Sequence, residues 1–142
     1  MRYLDRLRQE ISGEAEPPAI AKLVGYRLTD IEDGRAVLEF EAEPRHWNPQ
    51  GTLHGGVMCE LADAAMGVAY ASTLPEDVTF ATIELKINFL RPVKTGLLKA
   101  TGHVVKAGRT IGLSECDVTD TEGRLMARAS STLMTLRKEV LT

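Results

Sequence analysis

Cysteine and aromatic residues are scarce in this chain of 142 residues, and positive charge is not in excess. Cys59 and Cys116 stand far apart with no CxxC pair, which argues against a disulfide framework and predicts two buried thiols in a reducing, cytoplasmic compartment. Aromatic residues make up 5% of the chain and the formal net charge is −3. Both values argue against a nucleic-acid partner, since such proteins need a basic face or stacking aromatic side chains.

Signals for export, membrane insertion, metal binding and nucleotide binding are also missing. The charged N-terminus has no apolar core of a signal peptide, and the most apolar stretch, residues 57–71, contains Glu60 and Asp63. That stretch is also shorter than the ~20 residues of a membrane span. The three histidines lie in separate segments without metal-ligand spacing, and no GxGxxG, GxxxxGK[ST] or GxSxG run is present. We therefore expect no metal, no cofactor and no membrane partner.

The length predicts a single domain over residues 1–142, in which residues 1–18 form an N-terminal helix and linker. Apolar residues on one helical face support that helix, and Gly13 followed by Pro17-Pro18 ends it. A strand is expected over Gly25–Ile31 and a second, alternating one over residues 35–42, joined by a turn at Asp33-Gly34. Further along, the pattern predicts a helix over Gly56–Ser72 and four strands over Thr79–Leu90, Leu97–Lys106, Thr110–Thr119 and Leu125–Leu136.

This order of elements predicts an α+β fold with a mainly antiparallel sheet, because the strands are joined by hairpin-length connections. The helix over Gly56–Ser72 is apolar on both faces, which predicts burial almost all round. A single helix of this kind must be wrapped by the sheet, or by the sheet together with a partner chain.

Asp63 lies in the middle of that apolar helix, between Ala62 and Ala64. An ionised carboxylate buried there is costly unless it is paired or functional. The alternative is that Asp63 shares a narrow solvated strip with Glu60, three residues earlier on the same helical face.

The run His54-Gly55-Gly56 opens the same helix. The first N–H groups of a helix have no intrahelical partner and lie at the positive end of its dipole. Glycine lets a substrate approach that backbone, so the run suits a carbonyl oxygen that becomes negative during a reaction. The alternative is a tight loop-to-helix turn with an incidental histidine.

The spacing between the HGG run and Asp63 bears on whether one chain can form the site alone. Gly55 and Asp63 are eight residues apart, or ~12 Å along a straight helix. One small reacting group cannot touch both, so a shared site would take them from two antiparallel copies of the helix. The sequence thus suggests a two-fold dimer with two composite sites.

The run from Asn48 to Gly56, NPQGTLHGG, followed by ELAD at residues 60–63, resembles the hotdog-fold acyl-CoA thioesterases. Within the 4-hydroxybenzoyl-CoA thioesterase superfamily it is most similar to the PaaI-like branch of phenylacetic-acid degradation. The resemblance covers roughly Gly25 to Leu136 and includes the stretches around Thr82–Pro92 and Val105–Thr110. It implies an antiparallel sheet around a long central helix, hydrolysis of acyl- or aryl-CoA, and a homodimer that pairs into a tetramer.

The resemblance also implies a role for individual residues. Asp63 holds the place of the catalytic carboxylate, as general base or nucleophile, and the Gly55 N–H that of the oxyanion donor. Asn48 and His54 would position the thioester or the water, and Thr82 would hold that water. Asn48, His54 and Gly55 would face Asp63 and Thr82 of the other chain. The residues expected to bind substrate or CoA are Gly56, Arg91, Lys106 and Arg109, with Lys94 as a further basic candidate.

Three other functions remain open at this point. A hotdog hydroxyacyl dehydratase would share the fold, but the Pro- and Gly-rich run after its active-site histidine is missing here. A non-catalytic acyl-CoA binding module would keep the pocket, although such regulators carry an additional DNA-binding domain. A purely structural dimer would leave the acidic residue beside the HGG turn unexplained.

Overall fold

The computed structural model describes residues 1–137, which form a six-stranded sheet around one long helix. The last residues of the predicted domain, 138–142, lie outside the described residues. The helices are α1 (Tyr3–Ser12), α2 (Ala19–Val24) and α3 (Gly55–Ala71), with one 3₁₀ turn at Pro44–His46. The strands are β1 (Tyr26–Glu32), β2 (Arg35–Ala42), β3 (Val78–Phe89), β4 (Gly96–Ala107), β5 (Ile111–Thr119) and β6 (Leu125–Arg137).

The sheet has the strand order β1-β2-β4-β5-β6-β3, and all neighbours are antiparallel. The expected α+β hotdog arrangement is therefore confirmed. Seven predicted elements, α3 and all six strands, lie within one residue of their expected bounds. The short helix α2 was not predicted, because it follows two prolines and has only six residues. Within residues 1–137, no helix is both long and apolar enough to span a membrane.

Helix α3 packs directly on the backbone of the sheet. A Cβ built on Gly102 of β4 would lie 2.3 Å from the carbonyl oxygen of Ala65, so only glycine permits this close approach. Leu61, Ala62 and Met66 are fully buried beneath the sheet. The predicted burial all round the helix is incomplete, because Asp63 and its neighbours on one stripe are only half-buried in the single chain.

A β-bulge in β3 reverses which side chains face the helix. The pairing of β3 with β6 shifts between Thr82 and Glu84, and a bulge of this kind changes the alternation of a strand. Before the bulge, Phe80 contacts α3 at Gly67, whereas after it the inward residues include Leu85. Simple alternation along β3 would place Ile83 on one face with Leu85, but because of the bulge Ile83 is 54% exposed.

Candidate active site

His54 caps the N-terminus of α3 with its side chain. Its Nδ1 accepts a hydrogen bond from the N–H of Gly56 at 2.8 Å. A neutral imidazole that accepts at Nδ1 must carry its proton on Nε2. The exposed edge of the ring therefore presents an N–H donor to whatever binds beside the helix.

The N–H of Gly55 is the free donor at this helix end. Gly55 is the first helical residue, and within residues 1–137 its N–H meets no acceptor at hydrogen-bonding distance. The helix dipole adds partial positive charge at this position. The N–H group is therefore suited to an oxygen that gains negative charge.

Steric contacts favour glycine at both Gly55 and Gly56 of the HGG run. A Cβ on Gly56 would lie 3.0 Å from Nδ1 of His54 and would displace the capping ring. A Cβ on Gly55 would lie 3.0 Å from the tip of the Phe89 ring. These contacts give His54 and Gly56 a structural role at the start of α3, and the catalytic role of the run stays a prediction.

Asn48 organises the loop that precedes α3. Its Oδ1 accepts from the N–H groups of Gln50 and Thr52 at 3.0 and 3.1 Å, and its Nδ2 donates to Oγ1 of Thr52 at 2.9 Å. Asn48 also lines the same cavity as Gly55. Most of its hydrogen-bonding capacity is used on the loop, so one amide N–H remains for a ligand.

Asp63 is held by Thr82 across the gap between α3 and β3. The Thr82 hydroxyl donates to Oδ1 of Asp63 at 2.8 Å, and Oδ2 has no hydrogen bond within the described residues. Since the single hydroxyl proton is used on the carboxylate, Thr82 orients Asp63 and can only accept from a water molecule. The bulge that follows Thr82 places its side chain on the helix side of the sheet.

Glu60 shares the stripe of α3 with Asp63 but has a different partner. The hydroxyl of Tyr26 donates to Oε1 of Glu60 at 3.0 Å. Burial and the Glu60 carboxylate raise the pKa of the Tyr26 hydroxyl, so it stays protonated as a donor. Burial and, secondarily, Asp63 raise the pKa of the Cys59 thiol. Cys59 is therefore no activated nucleophile in this structure.

Within one chain the two halves of the predicted site lie in separate depressions. The first, which we call the Gly55 depression, has a volume of about 350 Å³ and includes Asn48, Gly55 and Arg91. The second, the Asp63 depression, has a volume of about 400 Å³. Its lining residues are Gly56, Cys59, Glu60, Asp63, Thr82 and Leu85.

The basic residues expected to bind CoA are distributed unevenly. Arg91 lines the Gly55 depression. Arg109 lines a third depression, near the C-terminal end of α3, together with Arg137. Lys106 is exposed near the end of β4. Within residues 1–137 none of these basic side chains, Arg91, Lys106, Arg109 and Arg137, forms an ion pair, which leaves each of them available to an anion.

The sequence alone did not single out Cys59, Leu85 or Phe89 as lining residues, or Tyr26 as the partner of Glu60. Tyr26 and Phe89 come from strands that flank α3, and only the tertiary packing brings them to it. Cys59 could have been predicted from the sequence to lie beside Asp63, because it comes four residues earlier and thus shares a helical face with it.

Comparisons with known proteins show which family and fold this chain shares. Acyl-coenzyme A thioesterase 13 of Homo sapiens is 28% identical over 89% of this chain and 91% of its own. The 1,4-dihydroxy-2-naphthoyl-CoA hydrolase of Listeria monocytogenes is 28% identical over 84% of this chain and 97% of its own. The solved structure of the E. coli PaaI protein from the phenylacetic acid degradation operon shares the fold, with a TM-score of 0.82 at 23% identity. That likeness covers 94% of this chain and 96% of PaaI.

The family model described as Thioesterase superfamily matches residues 50–127. This range contains the HGG run, Asp63, Thr82 and Arg91. Because the match covers more than half of the chain, the protein belongs to the thioesterase superfamily, a family of thioester hydrolases.

Proposed function

We propose that this protein hydrolyses acyl- or aryl-CoA thioesters to the free acid and CoA. Two groups carry the proposal. The Gly55 N–H at a helix N-terminus has no acceptor within the described residues, and the Asp63 carboxylate has one oxygen held by Thr82 and one oxygen free. The first group suits an oxyanion and the second a water molecule, which are the two requirements of thioester hydrolysis.

Asp63 acts as the general base in this mechanism. Its free Oδ2 takes a proton from water while the water oxygen attacks the thioester carbonyl carbon. The carbonyl oxygen becomes negative and accepts a hydrogen bond from the Gly55 N–H. When the tetrahedral intermediate collapses, the C–S bond breaks, and the CoA thiolate recovers the proton from Asp63. Because Thr82 holds Oδ1, the carboxylate stays in the orientation that serves water at Oδ2.

Each site combines groups from two chains. The Gly55 and Asp63 depressions are separate in one chain, and the eight-residue spacing amounts to ~12 Å along α3. A two-fold axis that sets two α3 helices antiparallel would bring Gly55 of one chain to Asp63 of the other. The half-buried stripe of α3, which includes Asp63, would then be covered by the second copy.

The free edge of β3 supports the same assembly. β3 is twelve residues long and lies at one end of the sheet, so one row of its backbone N–H and C=O groups has no strand partner within the described residues. The exposed Ile83 lies on this strand. A long unpaired edge invites pairing with another strand, and β3 of a second copy would satisfy it. Pairing of such dimers into a tetramer stays a prediction.

The phosphates of CoA would meet the unpaired basic residues. Arg91 is adjacent to the Gly55 depression, and Arg109 lies with Arg137 beyond Asp63 toward the C-terminal end of α3. Gly56, which lines the Asp63 depression, gives the thioester close access to the helix backbone. No further cofactor takes part in the proposed chemistry. Both cysteines are free, which supports the expected reducing, cytoplasmic compartment.

The direct test is to incubate the purified protein with short-chain, long-chain and aryl CoA thioesters and to measure hydrolysis as release of the CoA thiol. The names of the two relatives, an acyl-CoA thioesterase and a hydroxynaphthoyl-CoA hydrolase, justify both aliphatic and aryl members of the panel. We expect turnover of at least one class. Binding of these thioesters without release of thiol would contradict hydrolysis and favour a non-catalytic acyl-CoA binding module.

A further inference from the structure

One aromatic side chain, Phe89, closes the Gly55 depression on the side of the sheet. Phe89 is the last residue of β3, and its ring tip lies against Gly55, where a Cβ would be 3.0 Å from Cζ and 3.4 Å from Cε2. The side chain is nevertheless 55% exposed. The ring therefore stands as a wall beside the free N–H group, with solvent on its other side.

Three apolar residues of this depression are buried, whereas Phe89 and the neighbouring Leu90 and Pro92 are exposed. Leu53, Met58 and Val93 are 7%, 3% and 7% exposed, so their packing holds them in place. The backbone next to Phe89 is also fixed, because the N–H of Leu90 donates to the carbonyl of Met126 at 2.8 Å. Of the exposed side chains, the Phe89 ring is the one that lies against Gly55, so the size of this side chain sets the width of the depression beside the free N–H.

The two depressions offer different surroundings to an acyl group. The Asp63 depression presents Glu60, Asp63 and Thr82, all polar, with Leu85 as its aliphatic side chain. The Gly55 depression presents mainly aliphatic and aromatic carbon. A hydrocarbon chain gains most free energy by contact with the second set of walls. With its carbonyl oxygen on the Gly55 N–H, the chain would extend between Met58 and Phe89.

We propose that Phe89 determines which acyl groups this protein accepts, by limiting the length of hydrocarbon that fits beside Gly55. This inference rests on the proposed function, since it takes the thioester carbonyl to lie at the Gly55 N–H. A smaller residue at position 89 opens the depression to longer chains, and a larger one closes it. The size of the side chain thus predicts the sign of the change in both directions.

The test compares wild type with Phe89→Ala, Phe89→Leu and Phe89→Trp, and Leu23→Ala serves as the control. Leu23 is 73% exposed on α2 and lies outside both depressions, so Leu23→Ala removes exposed apolar surface, as Phe89→Ala does, without changing either depression. The probes, termed the butyl and decyl thioethers, are analogues of butyryl-CoA and decanoyl-CoA with one methylene inserted between the sulfur and the carbonyl. They keep the carbonyl oxygen and cannot be hydrolysed as thioesters, and their binding is measured by calorimetry. The ratio of kcat/KM for decanoyl-CoA over butyryl-CoA is measured alongside.

We expect the preference for the decyl over the butyl thioether to rise about tenfold or more in Phe89→Ala, to rise less in Phe89→Leu and to fall in Phe89→Trp. Leu23→Ala should leave it unchanged. Equal preference in all folded variants, or failure of wild type to bind either thioether, would overturn the inference. Because binding is read without turnover, shifted binding together with no hydrolysis would refute the proposed function and leave the role of Phe89 intact.

Discussion

Hydrolysis of CoA thioesters by Asp63→Asn is expected to fall by about 10²-fold or more below wild type, which is the usual contribution of a general base. The amide keeps the shape of the carboxylate, and its oxygen can still accept the hydrogen bond that Thr82 gives to Oδ1 at 2.8 Å. It cannot take a proton from water at the second position. The loss should therefore appear in kcat, with binding of the thioester largely retained, in steady-state kinetics of thiol release.

Glu60→Gln is the matched control, because it removes a carboxylate one helical turn earlier in the same depression. Glu60 already accepts from the Tyr26 hydroxyl, and an amide oxygen can accept the same bond. We expect Glu60→Gln to lose far less activity than Asp63→Asn. Folding of both variants is checked by thermal unfolding. Loss of activity in Glu60→Gln rather than in Asp63→Asn would show that Glu60, and not Asp63, is the general base.

Gly55→Pro should lower kcat by about 10²–10³-fold, the effect of losing one oxyanion donor. Proline has no backbone N–H, and the first position of a helix tolerates it because that N–H is unpaired in any case. The local backbone is compatible, since His54 has φ −62° and ψ 134°, a conformation that the residue before proline favours. Helix α3 should therefore remain folded while its free donor is lost.

Gly55→Ala separates the chemical effect from the steric one. Alanine keeps the N–H but adds the same Cβ, which would meet the Phe89 ring tip at 3.0 Å. That tip belongs to a half-exposed side chain that can move by a few tenths of an ångström. We expect Gly55→Ala to keep much more activity than Gly55→Pro. Equal losses in the two variants would assign the effect to crowding and would remove the N–H from the mechanism.

Most of the fold could be predicted from the sequence, because hydrophobic periodicity carries it. The alternation in β2 and the apolar run of α3 are local patterns that the structure reproduces. The bulge after Thr82 is different, since nothing in the strand sequence marks the residue at which the alternation reverses. For this reason alternation alone would place Ile83 on one face with Leu85, whereas Ile83 is half-exposed.

The candidate site was predictable in its chemistry but not in its contacts. A carboxylate inside an apolar helix and two glycines at its start are unusual enough to be noticed in one sequence. The hydrogen bonds from Tyr26 to Glu60 and from Thr82 to Asp63 join residues 34 and 19 positions apart, and only the tertiary packing sets such pairs. The role of His54 as the cap of α3, through Nδ1, likewise depends on a side-chain rotamer that the sequence does not specify.

The central claim, a site shared by two chains, is tested most directly by mixing Gly55→Pro chains with Asp63→Asn chains. Each parent should be nearly inactive. In a mixed dimer one site receives both defects and the other receives neither. Random exchange makes half of the dimers mixed, each with one intact site of two, so about a quarter of wild-type activity should return if the sites are independent. Differently tagged chains verify the exchange. If verified mixed dimers stayed as inactive as the parents, Gly55 and Asp63 would act within one chain, and the composite site would be refuted.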